Sequence, residues 1–101
     1  MILTTTNSIE HHKVAEYLGI VTGVSFKMRD LVPAFSSSKE NYSKAMEKVL
    51  DELKEESFKE LRNNAKGLGA NAVVGIHIDF EPIGAGHYVG VSVTGTAVKV
   101  A

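Results

Sequence analysis

Residues 69–100 read GANAVVGIHIDFEPIGAGHYVGVSVTGTAVKV, two strand-like runs either side of a turn rich in glycine and proline. Both runs alternate between apolar and polar residues, the period-two signature of half-buried strands. Folding them back about Gly84-Ala85 brings together residues whose numbers sum to about 169, so Ile76 meets Val93, Ile78 meets Val91 and Phe80 meets Val89. The other face collects His77 with Ser92, Asp79 with Gly90 and Glu81 with Tyr88. A slip of one residue would mix the two sets. The loop, Pro82 to Gly86, is longer than a two-residue turn and leaves room for a shift by two.

Upstream, a long helix is expected from Lys39 to Lys66. Tyr42, Met46, Val49, Leu50, Leu53, Phe58, Leu61, Ala65 and Leu68 recur at steps of three and four and form one stripe. Ser37 followed by Glu40 has the spacing of a capping box. Arg62 and Lys66 suit the negative end of the helix dipole, and Gly67 or Gly69 can take the left-handed position that ends it. Such a helix is about 40 Å long, the length of a strand of 12 or 13 residues, so it can cover the apolar face of the hairpin.

Lys13 to Lys27 alternates as well, with Val14, Leu18, Ile20, Val24 and Phe26 read as the core face and Tyr17, Gly19, Val21 and Gly23 as the other. Glycines on that second face suggest close approach by another backbone or a bend. Residues 2–5 are strand-prone and short, an edge strand or a docking arm. Met28 to Ser38 reads as a loop with hydrophobic anchors at Leu31, Val32 and Phe35. The fold class is α+β, a two-layer β-α-β-β sandwich with one long helix on an antiparallel-rich sheet. The sheet face away from the helix, carrying Tyr17, Val21 and Tyr88 among small residues, has no cover within the chain. Faces of that kind pack on copies of themselves, which predicts a homo-oligomer.

At 101 residues the chain is a single domain over 1–101, long enough to bury about 60–70% of its extended surface. It has no cysteine, which excludes disulfides and thiolate metal sites. Lys plus Arg number 11 and Asp plus Glu 12, a net charge of −1, so no electrostatic footprint for nucleic acid or an anionic membrane is present. No run approaches the ~20 apolar residues of a membrane span. The opening MILTTTNSIEHH lacks the basic and apolar regions of a signal peptide, and a cytoplasmic protein is expected.

His77, Asp79 and Glu81 alternate on one strand and project from one face about 6.5–7 Å apart. An imidazole with two carboxylates suits a borderline-to-hard divalent metal ion. His87 lies at the turn within reach of Glu81 and completes the candidate metal set. The competing reading is a row of polar groups making cross-strand hydrogen bonds. His11 and His12 are consecutive and point to opposite faces of an extended chain, so they do not share an ion within one subunit. The chain lacks a nucleophile elbow, a P-loop, H-E-x-x-H and a dinucleotide fingerprint, and two strands of a flat sheet offer no water-excluding pocket. No enzyme is expected.

The segments EYLGIVTG (Glu16 to Gly23), AKGLGANAVVGIHIDFE (Ala65 to Glu81) and VSVTGTAVKV (Val91 to Val100) resemble the signature stretches of the YbjQ family, small proteins that carry a heavy-metal-binding label. The resemblance implies a dodecin-like subunit assembled into a ring-shaped homopentamer. It also implies an acidic residue where His77 stands here, a departure that shifts the set away from the hardest ions. Two functions follow as expectations: a non-enzymatic oligomer holding a metal ion or small ligand at subunit interfaces, and a scaffold ring with no small ligand.

Overall fold

A computed structural model describes residues 1–28 and 39–101. In chain order the elements are β1 (Ile2–Leu3), β2 (Val14–Met28), α1 (Lys39–Gly67), β3 (Ala72–Ile83) and β4 (Tyr88–Val100). The strands form one sheet in the order β1-β3-β4-β2, antiparallel except for the parallel β1–β3 pair. Helix α1 lies along β2 and β4 and barely reaches β3. The α+β architecture expected from the hairpin and the helical stripe is the one found, with the first residues as an edge strand. Of the loop expected from Met28 to Ser38, Met28 instead ends β2 and the rest lies outside the described residues, as do Ser37 of the capping pair and the side chains of Glu40 and Tyr42.

Each boundary has a local cause. At the C-terminus of α1, Gly69 Nα donates to the Lys66 carbonyl at 2.9 Å and Ala70 to that of Ala65 at 3.1 Å. This is the paired bonding of a Schellman cap, with Gly69 at φ +83° supplying the left-handed residue. Asn71 then ties the junction to the end of β4, donating to the Val100 carbonyl at 3.0 Å and accepting from the Val100 amide at 2.8 Å.

The β3–β4 hairpin keeps the expected faces but shifts by two residues: Ile78 pairs with Val93, Phe80 with Val91, Asp79 with Ser92 and Glu81 with Gly90. The ladder continues through Pro82 and Ile83, so the loop is Gly84 to His87, closed by the His87 amide on the Gly84 carbonyl at 3.2 Å. A shift by two preserves parity, which is why the hydrophobic pattern could not distinguish the two registers.

The expected faces of β2 are reversed. Val21, Gly23 and Ser25 are buried against α1, while Ile20 is 77% and Phe26 63% exposed. Register shifts between Val14 and Glu16 and between Tyr17 and Gly19 change the phase of the strand, so Leu18 packs on the core while Ile20 does not. The second cause is steric. A Cβ on Gly23 would collide with the Ser57 carbonyl, so the small-residue side is the one that admits the helix. Ser57 is fully buried; its Oγ donates to the Val91 carbonyl at 2.9 Å and lies 2.7 Å from Ser25 Oγ, which donates to the Leu53 carbonyl at 2.6 Å. Around this pin Val21, Leu61, Ala65, Val73, Ile76, Val93 and Ala97 form the main core, and Val49, Leu53 and Val91 continue it.

The far face is not wholly bare, as the sequence suggested. At one end Ala72, Val74 and Val98 are buried beneath Ile9, Val14 and Val100. The uncovered part lies toward the hairpin tip, where Val24, Phe26, Met28 and Ile83 are exposed and Phe26 meets Tyr88 edge-on at 5.8 Å.

Gly23→Ala should lower stability by about 1–3 kcal/mol through the clash with α1, and Ser57→Ala by about 1–2 kcal/mol through loss of a buried hydroxyl. Urea unfolding monitored by circular dichroism measures both. Because the Ser25 and Ser57 hydroxyls lie 2.7 Å apart and hold two protons for three polar contacts, the Ser25→Ala/Ser57→Ala double variant should lose less than the sum of the singles.

Candidate functional site

A bulge sets the phase of the polar row on β3. Between Val74 and His77 the pairing with β4 slips, and Val73 and Ile76 both face the helix side. Gly75, at φ +62°, occupies the kink; its amide donates to the Thr6 carbonyl at 2.8 Å and that of Ile76 to the Thr4 carbonyl at 3.1 Å. The N-terminal arm thus holds the bulge in place. After it, His77, Asp79 and Glu81 fall on the outer face and Ile78 and Phe80 on the helix side.

His77 Nε2 lies 3.2 Å from Asp79 Oδ1, and both side chains reach solvent. Across β4 they face Thr94 and Ser92. Glu81 lies farther toward the tip, opposite Gly90, and lines a cleft of about 280 Å³ with Met46, Leu50, Phe80, Pro82, Tyr88 and Val89. His87 is in the turn. Of the four residues in the candidate metal set the structure brings together His77 and Asp79 and leaves Glu81 and His87 apart; among the described residues no group of three or more His, Cys, Asp or Glu side chains gathers as a metal set. His11 is exposed, at φ +66°, with Glu10 at 3.8 Å.

Within one subunit the arrangement offers one imidazole and one carboxylate on an open sheet face. Two ligands hold a divalent ion weakly, since stable sites use three or more protein groups or add ligands from outside. Across β4 from this pair runs the apolar row Ile20, Val24 and Phe26, which the sequence assigned to the core. The signal that could have placed it outside was the run Gly23, Ser25 on the opposite parity, small residues spaced to receive a helix. No described helix is long and apolar enough to cross a membrane.

The whole chain, residues 1–101, matches the YbjQ family, described as "Putative heavy-metal-binding". The chain belongs to this family. Among curated YbjQ-family relatives, a UPF0145 protein of Clostridium kluyveri is 44% identical over 105 residues, covering 99% of both chains. UPF0145 proteins of Acetivibrio thermocellus and Corynebacterium jeikeium are 39% and 37% identical, over 99% and 97% of both chains. None of these names an enzyme. A crystal structure of a protein of unknown function from Pediococcus pentosaceus, of the DUF74 family, superposes with a TM-score of 0.71 at 18% identity, covering 100% of this chain and 98% of that one. At that identity the likeness concerns the fold.

The His77–Asp79 pair is exposed, so His77→Ala should change unfolding free energy by less than ~0.5 kcal/mol. A loss of several times that in a urea titration would mean the row is structural.

Proposed function

We propose that this YbjQ-family chain is a non-enzymatic, homo-oligomeric binding protein of the cytoplasm that holds a divalent metal ion at subunit interfaces. The observation that carries the reading is the His77–Asp79 pair, preset at 3.2 Å on an exposed sheet face that also carries, on the far side of β4, an exposed apolar row. The pair gives half of a coordination shell, and a neighbouring subunit or solvent completes it. The family's description supports the metal; a five-membered ring of dodecin-like subunits is what the family resemblance implies. The absence of cysteine directs the choice toward ions content with nitrogen and oxygen, such as zinc, nickel or manganese.

Calorimetry with these three ions on untagged protein tests the reading. Binding should weaken at least ~10-fold in His77→Ala and in Asp79→Asn. If no ion binds tighter than about 100 μM, the metal reading fails. The second reading, a scaffold ring without a small ligand, then stands; the incompleteness of the ligand set within one subunit favours it. In both readings the oligomer should survive EDTA with unchanged mass by light scattering, because the core and the apolar row need no ion.

A further inference from the structure

Among the described residues the sheet leaves two strand edges open, one on each side. In an antiparallel pair, residues alternate between those whose N–H and C=O face the partner and those whose groups face away. Thr22 gives its carbonyl to Asn64 Nδ2 at 2.8 Å and so faces away from β4. With the regular register from Ile20 to Met28, Val24, Phe26 and Met28 face away as well. Carrying the alternation across β4 to β3, Ile78, Phe80 and Pro82 face the other open edge. The Ile76 amide, which donates to Thr4 on that side, has the same direction. β1 and the arm behind it cover β3 only as far as Ile76. Pro82, which has no N–H, sits where a strand edge tolerates proline.

We infer that the open edge of β2, over residues 22–28, pairs in parallel with the open edge of β3, over residues 77–83, of a second copy of this chain, continuing the sheet from subunit to subunit. This rests on the self-association in the function proposed above and names the surfaces that make it. Four observations on the two edges agree. The open stretches have equal length and lie level across the sheet, since Val24 and Asp79 both pair with Ser92 and Met28 and Ile83 both pair with Tyr88. Both strands run antiparallel to β4, so they run the same way, and a rotation about an axis along the strands sets them side by side in parallel.

Parallel pairing further requires the edge-facing residues of the two strands to lie on opposite sides of the sheet, because the residues that bond are offset by one. Ile78 and Phe80 are on the helix side, Val24 and Phe26 on the outer side. Finally, α1 lies over β2 and β4 and leaves the helix side of β3 exposed toward the hairpin tip, with Phe80 52% exposed. A groove between the β2 edge and α1, lined by Val24, Phe26, Lys59 and Asn63 among others, faces the neighbour and can receive that side. Two-fold pairing at each edge would instead propagate an endless sheet, whereas β2 on β3 is a head-to-tail contact that can close into a ring. It also brings Thr22 of one copy level with His77 of the next, at the candidate site.

Two variants test the contact. Val24→Pro removes an N–H that β4 does not use, so the subunit should stay folded by circular dichroism while the mass falls to the 10.9 kDa monomer. Val24→Cys/Asp79→Cys places two cysteines in an otherwise cysteine-free chain. Within a subunit they flank β4, about 9–10 Å apart and beyond disulfide reach; across the contact they are neighbours at about 5 Å. Oxidation should therefore give a ladder of covalent multiples on a denaturing gel. If Val24→Pro keeps the wild-type mass, the edge contact is wrong and self-association stands. If Val24→Pro unfolds, the cysteine pair decides, and monomer alone after oxidation overturns the contact. A wild type that is monomeric at 100 μM overturns the contact and the self-association together.

Discussion

The closeness of α1 to β2 is the constraint on which the rest of the fold depends. A helix backbone reaches a strand this nearly only where side chains are missing, and Gly23 provides the gap. Close approach strands polar atoms in an apolar layer, and an unpartnered hydroxyl there would cost about 1–3 kcal/mol. Ser25 and Ser57 meet that demand by donating to the Leu53 and Val91 carbonyls, with their Oγ atoms 2.7 Å apart. The pair therefore fixes both the depth and the axial position of the helix. Once α1 is seated over β2 and β4, β3 is left half covered, and among the described residues the outer face of β2 toward the hairpin tip stays exposed.

Much of this was legible in the residues. The hairpin faces, the span of α1 and the α+β class follow from period-two and period-3.6 patterns long enough to leave little ambiguity. The reversed faces of β2 did not follow, because the larger side chains were counted as the buried ones. Ile20, Val24 and Phe26 have the hydrophobicity of a core, yet burial is decided by which side the partner can approach, and Gly23 and Ser25 are the side that admits a helix. The two-residue shift of the hairpin was invisible for another reason: it moves every pair without moving any side chain to the other face.

The candidate site shows the same limit. His77, Asp79 and Glu81 share a face as the alternation implies, but sharing a face does not gather side chains on one ion. The twist toward the hairpin tip carries Glu81 to the cleft under Met46 and Leu50, and His87 is occupied in a turn. The bulge at Gly75, which sets the phase of the row, depends on carbonyls from Thr4 and Thr6 some seventy residues earlier in the chain. No local window of sequence contains both halves of that interaction.

That dependence has a consequence for how the protein is made. Ile2 and Leu3 leave the ribosome 70 residues ahead of their partners Ala72 and Val73, and β2 waits comparably long for β4. For most of synthesis the nascent chain displays the uncharged run from Ile20 to Phe26 without a strand to pair it, and only α1 can form from local contacts. Completion of the sheet is thus postponed until β4 arrives between β2 and β3 and pairs with both. Of the described strands, the one made last is the one that joins the other two long strands into a single sheet.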